Sequence, residues 1–234
     1  MEILFWVCVA FVFYTYIGYP AAVVLWGTRF PRRVDKRYGA VPVSVVVAAR
    51  DEEGNIRARV ENLRAQKYPR DLLEIVVVSD GSTDRTAQVV RELADDGTKL
   101  VETPGPVGKA EALNLGVARA SGDVIVFADA RQRFEPSVIA ELVAMLADER
   151  VGAVSGELVI EGGAGSDVGE GVGMYWRYEK LIRRMESRIS STVGATGSIY
   201  AIRKRLYVPL EQHALLDDLL VPMRIVLQGY RVPV

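Results

Sequence analysis

Ile3 to Trp26 is a stretch of 24 residues without a charge, and beyond it short apolar runs alternate with amphipathic stretches to the end of the chain. As a helix rising 1.5 Å per residue, the first run is about 36 Å long, enough for a hydrocarbon layer of about 30 Å. A cleaved leader would show a basic segment, a shorter apolar run and a small-residue cleavage site, and the pattern has none of these. It predicts one N-terminal transmembrane helix over residues 1–28, with Cys8 packed inside it. Pro20 would kink this helix without ending it, because membrane helices tolerate proline.

Past Tyr38 the period changes. Residues 43–49 form a nearly continuous apolar run with valine at four positions, the signature of a strand buried on both faces. Residues 55–66 place Ile56, Val60 and Leu63 at helical spacing. The alternation continues with a strand over 73–79, a helix over 84–93 capped by Thr83 or Asp84, and a short strand over 100–103. A helix over 109–120, a strand over 123–128, a helix over 136–146 opened by Pro136, and a strand over 151–160 follow. Such βαβα order specifies an α/β fold with a mainly parallel sheet and helices on both faces. The rhythm then breaks: 161–173 carries six glycines in 13 residues and reads as a loop. Residues 174–189 read as a surface helix with five basic and two acidic residues, an alternative being contact with an anionic leaflet. Residues 192–202 are strand-like, and 219–227 helical, with Asp217 and Asp218 at the N-terminus.

Charge changes the picture in one respect. The chain has 29 basic and 30 acidic residues, a balance that argues against a nucleic-acid partner. Yet Arg29, Arg32, Arg33, Lys36 and Arg37 follow the apolar helix directly, while only Glu2 precedes it. The positive-inside rule then puts the large domain in the cytoplasm, with the chain single-pass in the inner (plasma) membrane. One cysteine and one histidine exclude a disulfide framework and a Cys- or His-rich metal site, which leaves chemistry to carboxylates, Lys/Arg, hydroxyls and backbone groups.

In parallel sheets ligands bind beyond the carboxyl ends of the strands, and here those ends carry Arg50-Asp51-Glu52-Glu53, Ser79-Asp80-Gly81-Ser82-Thr83-Asp84, Gly108-Lys109 and Asp129-Ala130-Arg131. Acceptors of this kind suit ribose hydroxyls, a base edge or a hydrated metal, and Lys109 suits a phosphate. Each tip also has a purely structural alternative: Asp80-Gly81-Ser82 as turn chemistry, Asp84 as a helix cap. Neither a dinucleotide-binding Gly-x-Gly-x-x-Gly nor a P-loop is present at the required positions. A Ser–His–Asp hydrolase built on His213 lacks the Gly-x-Ser-x-Gly elbow.

Taken together, Val43-Ser44-Val45-Val46-Val47-Ala48-Ala49-Arg50-Asp51-Glu52-Glu53, Asp80-Gly81-Ser82-Thr83-Asp84 and Gly108-Lys109-Ala110-Glu111-Ala112-Leu113-Asn114 resemble family 2 glycosyltransferases, from about residue 43 onward. The N-terminal Tyr14-Thr15-Tyr16-Ile17-Gly18-Tyr19-Pro20 is similar to the membrane-bound branch that makes polysaccharides such as poly-N-acetylglucosamine or hyaluronan. The resemblance implies a GT-A fold, Rossmann-like, behind the transmembrane helix. The organisation becomes helix 1–28, basic linker 29–40 and catalytic domain 41–234, with 41–130 as the nucleotide-sugar half and 131–234 as the acceptor half. It implies that Ala48, Arg50, Glu52 and Asp80 surround the uracil and ribose of a UDP-sugar, with UDP-N-acetylglucosamine favoured, and that Lys109 lies near the phosphates. Asp129 takes the first position of an Asp-x-Asp motif that holds ribose and a Mg2+ or Mn2+ ion. Gly194, Thr196 and Gly197 line the acceptor side, and Asp217-Asp218 sits where the family has Glu-Asp, with Asp218 as general base of an inverting transfer to a glycan or lipid-linked acceptor.

Three departures qualify the resemblance. Ser79 replaces the first Asp of Asp-Asp-Gly-Ser. Arg131 replaces the second Asp of Asp-x-Asp, which removes a metal ligand and offers a partner for diphosphate instead. Processive members continue with a Gln-x-x-Arg-Trp motif and further membrane helices, neither of which is found up to Val234, so the chain is expected either to be part of a longer enzyme, with further subunits or a C-terminal membrane portion as partners, or to transfer without translocating. The alternative function is a non-catalytic nucleotide-sugar-binding or scaffold module in a membrane glycan-synthesis complex.

Overall fold

The structure is a computed structural model that describes residues 1–159 and 167–234, with side chains left out over 167–175. It divides into two compact units, one comprising Met1–Arg33, Val159–Thr192 and Pro233–Val234, the other Val34–Leu158 and Val193–Val232. This division groups 159–192 with the N-terminal helix, whereas the sequence pattern places them in the sheet domain.

In the first unit, α1 (Glu2–Phe13), a π-helical turn (Tyr14–Gly18) and α2 (Tyr19–Arg29) run without a break, 28 residues long and apolar enough to cross a membrane. Cys8 and the large apolar side chains of the first turns are exposed. Pro20 has no N–H, so the Tyr16 carbonyl four residues back loses its ordinary helical donor. The wide π turn lies where the proline disturbs the ladder. The Tyr178 hydroxyl supplies the missing hydrogen bond to Tyr16 O at 2.7 Å. Tyr178 belongs to α7 (Asp167–Ile189), which packs along α2 so closely that a Cβ on Gly27 would lie 3.0 Å from the Met185 carbonyl. Residues 167–173, expected as loop, form the first turns of this helix; propagation from the helical stretch that follows outweighs glycine's cost of about 1 kcal/mol each. Residues 160–166, the rest of that loop and the end of the expected strand 151–160, lie outside the described residues.

The second unit holds a six-stranded sheet among the described residues, in the order β3-β2-β1-β4-β6-β5. The strands are β1 (Val43–Ala49), β2 (Leu73–Ser79), β3 (Thr98–Glu102), β4 (Val124–Ala128), β5 (Ala153–Ser155) and β6 (Ile199–Arg203). β1 to β4 are mutually parallel, and β6 runs antiparallel to both β4 and β5. Period-two alternation sends Val43, Val45, Val47 and Ala49 of β1 to one core with α3 (Ile56–Arg64), α4 (Thr86–Leu93) and α6 (Val138–Leu146). Val46 goes to the other, with α5 (Lys109–Arg119) and α8 (Asp217–Leu227). Strand β5 is shorter than the expected 151–160: Val151 instead bridges to Arg231. The helix expected from Pro136 starts at Val138.

Register alone brings the functional tips together. Ala49 pairs with Ser79, so β1 and β2 end at the same level, while β4 ends two residues short, at Ala128 opposite Val47, and Asp129 follows directly beside them. Close approach of α5 to this sheet depends on Gly116, where an added Cβ would lie 2.4 Å from Val46 Cγ1 and 3.2 Å from Val78 Cγ2. Gly116→Ala is therefore expected to destabilise the chain by about 1–3 kcal/mol through overpacking. A lower urea midpoint at unchanged slope would show this; an unchanged midpoint would mean that α5 shifts freely on the sheet.

Candidate active site

The loops after β1 and β2 hold each other in place. Asp51 sits in the left-handed region at φ 53° and accepts the Thr83 N–H at 2.7 Å, while the Glu53 N–H donates to Asp84 at 2.9 Å. Asp84 also accepts the Thr86 N–H at 2.8 Å, completing the start of α4. Glu52 is nearly buried; its N–H donates to Thr86 Oγ1 at 2.7 Å and its carboxylate receives Asn55 and the Nε–H of Arg131, each at 2.7 Å. Ala48 is half-buried near the end of β1, and Arg50 is exposed just past it. Ser79, in the place of an acid, donates to Ser82 Oγ at 2.9 Å.

Asp80 is 5% exposed and accepts two backbone N–H groups, from Val107 at 2.6 Å and Gly108 at 3.0 Å. Its carboxylate thereby clamps the loop that leads into α5. Gly81, at φ 57°, is required beside it: a Cβ there would lie 2.4 Å from the Gly105 and Pro106 backbone. Together these fix the backbone of Lys109, the first residue of α5.

Lys109 reaches across the crevice. Its Nζ lies 2.9 Å from Asp217 Oδ1 and 3.9 Å from Asp129 Oδ1. Burial alone would lower the lysine's pKa, but the contact with Asp217 and the nearby charges of Asp129 and Asp218 raise it above its ordinary value. Asp129, at the tip of β4, has its pKa raised by burial; Lys109 opposes that, and Asp217 adds to it. Asp217 is 5% exposed in the first turn of α8, where the helix dipole favours an anion, and the Tyr200 hydroxyl donates to its other oxygen at 3.4 Å.

Asp218 follows on the same turn, enclosed by residues 194–197. Its carbonyl accepts the Ala195 N–H at 2.8 Å, and a Cβ on Gly197 would lie 2.6 Å from its Oδ2. Thr196 anchors this segment, its N–H donating to Ser155 Oγ and its hydroxyl to the Gly156 carbonyl, both at 2.9 Å. Gly194, Thr196, Gly197, Asp217, Asp218, Lys109 and Asp129 thus converge. Asp80 and Glu52 lie at the neighbouring strand tips, with their carboxylates already bonded.

Two positions acquire a role only in the structure. Arg59 of α3 is 2% exposed, donates from Nη1 to the Gln132 carbonyl at 2.8 Å, and stacks its Cζ 3.8 Å over the Phe134 ring. Burial lowers its pKa to about 10, with Asp129 opposing the drop. Asn62, one turn on, pairs with both backbone groups of Phe134 at 2.8 and 2.9 Å. The loop carrying Asp129 and Arg131 is therefore gripped by α3. The sequence signal was a charged residue on the apolar stripe of Ile56, Val60 and Leu63. Asn114 is the second: its amide ties Tyr207 and Leu210 to α5 at 2.8–2.9 Å.

The donor set decides whether a divalent cation fits. Among the described residues no three metal-ligating side chains form a ready cage, and position 131 is a guanidinium bound to Glu52. Magnesium sites, however, usually need only one or two carboxylates plus substrate phosphates. Asp129 and Asp217 supply two carboxylates of that kind, each with an oxygen within 4 Å of the Lys109 ammonium. The residues fit such an ion through these two groups.

The sequence profile of glycosyl transferase family 2 matches residues 44–208. The probable glycosyltransferase YdaM of Bacillus subtilis (strain 168) is 41% identical over 121 residues, 49% of this chain and 29% of that protein. The beta-monoglucosyldiacylglycerol synthase of Nostoc sp. is 33% identical over 130 residues, 53% of this chain and 28% of that protein. The chain thus spans under a third of the length of these two curated relatives. Among solved structures, the mannosyltransferase PcManGT from Pyrobaculum calidifontis, in complex with GDP-Man and Mn2+, matches with a TM-score of 0.79 at 28% identity, over 94% of this chain and 63% of that one.

Asp80→Asn keeps the shape of the clamp but can accept only one of its two N–H groups well. The expected cost is about 1–3 kcal/mol, with faster amide exchange at Val107 and Gly108. Unchanged protection of both amides would remove Asp80 from its role in placing Lys109.

Proposed function

The chain belongs to glycosyl transferase family 2, and on that premise we propose a membrane-anchored inverting transferase that moves a sugar from a UDP-sugar to a glycan or lipid-linked acceptor hydroxyl. The observation that carries this reading is the convergence of Lys109, Asp129, Asp217 and Asp218 beyond the sheet, with residues 194–197 enclosing Asp218.

In this reading Asp218 accepts the proton of the acceptor hydroxyl as its oxygen bonds to C1 of the sugar. The bond from C1 to the β-phosphate oxygen breaks, and the nucleoside diphosphate leaves from the opposite face. Lys109 and Arg131 receive its negative charge. A Mg2+ or Mn2+ ion on Asp129 would offset further charge on the diphosphate. Ala48, Arg50 and Glu52 would face the nucleoside, with UDP-N-acetylglucosamine as the first donor to test. GDP-mannose, bound by the Pyrobaculum calidifontis mannosyltransferase, is the rival donor, and the monoglucosyldiacylglycerol that names the Nostoc synthase supports a lipid acceptor. The helix Glu2–Arg29 would anchor the enzyme, and the basic cluster from Arg29 to Arg37 would keep the catalytic unit on the cytoplasmic face.

Membranes carrying the chain, incubated with labelled UDP- and GDP-sugars with and without Mg2+ or Mn2+, should transfer label from one donor class. Asp218→Asn is expected to lower transfer by about 10²–10⁴-fold, the usual contribution of a general base, while leaving UDP binding intact. Full activity in that variant removes Asp218 as the base. Nucleotide binding without transfer from any donor makes the chain a binding or scaffold module instead.

A further inference from the structure

The Lys109 ammonium lies beside both Asp129 and Asp217, the two carboxylates a divalent cation would use here. Its Nζ is 2.9 Å from one carboxylate and 3.9 Å from the other. Two like-charged cations cannot share so small a space, so an ion on these carboxylates requires the ammonium to move away.

Two features make that movement feasible in one way only. The backbone of Lys109 is fixed, because Asp80 holds the Val107 and Gly108 N–H groups ahead of it. The side chain itself is half-exposed, and its flexible four-carbon stem allows the head group to swing. Asp217, by contrast, is nearly buried. A buried carboxylate stripped of its counter-charge is strongly destabilised, so Lys109 can leave only if another cation arrives. Lys109 in turn needs a new anion, which a diphosphate supplies.

We propose that Lys109 is an exchangeable counter-ion: it holds Asp217 and Asp129 compensated, and yields them to a divalent cation when a nucleoside diphosphate draws its ammonium away. The cation and the nucleotide then bind as a coupled pair, each tightening the other by the same factor. The proposal rests on the nucleotide-sugar reading above, and it assigns Lys109 a place in the order of assembly as well as a contact to phosphate.

The test measures Mn2+ binding to the full chain in detergent by electron paramagnetic resonance of free Mn2+, corrected for Mn2+–nucleotide complexes in buffer. Wild type, Lys109→Met and Lys109→Arg are each titrated alone and with saturating UDP, with GDP in a parallel series. In the wild type, nucleotide should tighten Mn2+ binding about tenfold or more, within the usual range of coupling between sites. Lys109→Met, with no ammonium to displace, should bind Mn2+ alone about tenfold more tightly than wild type and lose most of the nucleotide effect. Lys109→Arg keeps the charge and should bind Mn2+ alone as weakly as wild type. Mn2+ binding by Lys109→Met no tighter than wild type overturns the proposal, as does tighter binding by Lys109→Arg. If neither UDP nor GDP binds the wild type in equilibrium dialysis, the donor reading falls, while the Mn2+-alone comparison of the three proteins still decides the role of Lys109.

Discussion

The ion pair between Lys109 and the buried Asp217 imposes a requirement that runs through the whole sheet unit. Asp217 begins α8, whose apolar face packs on the same core as α5. Its charge is compensated only if α5 starts at the right height and angle. That start is set from the tip of β2, where Asp80 clamps two backbone amides and Gly81 lets the loop at 105–106 approach without a side chain between them. Residues far apart in sequence therefore meet through one chain of contacts: strand tip, loop, helix start, carboxylate. The parallel register that levels the ends of β1 and β2, with β4 ending two residues short beside them, supplies the platform for it.

The same dependence explains what could be read in advance. Strands β1 and β2 match the expected spans residue for residue, because burial on both faces leaves a short apolar run bounded by polar residues. Helix ends were less legible. Pro136 looks like a first-turn proline, yet α6 begins at Val138, and the Pro136 carbonyl accepts the Lys67 N–H instead. The glycine-rich 167–173 reads as loop on composition alone, since propensity says nothing about the helix that continues from it. Residues at the tips were found because polar groups bunched at strand ends are visible in one dimension. Which carboxylates face one another was not, for that depends on pairings across the fold. Asp80 proved to be bonded to backbone amides, and Arg59, set among apolar neighbours, grips a loop more than 70 residues away.

Arg131 shows how a departure from a family pattern acquires a structural meaning. An acid at that position would lie against Glu52, adding a second negative charge beside a nearly buried one. The arginine neutralises Glu52 at 2.7 Å and keeps its own head group exposed at the rim. The loop bearing it is held on its inner side through Arg59 and Asn62. Donor-facing charge is thus presented from a firm base.

Pro20 and Tyr178 bear on inheritance. The proline deprives the Tyr16 carbonyl of its helical donor, and a hydroxyl from a helix some 160 positions later in the chain restores it. Neither residue makes sense alone: a phenylalanine at 178 leaves an orphaned carbonyl, and a non-proline at 20 leaves the phenol competing with an amide. Across relatives the two positions should be gained and lost together, a covariation that would reveal this helix pairing to anyone holding only sequences.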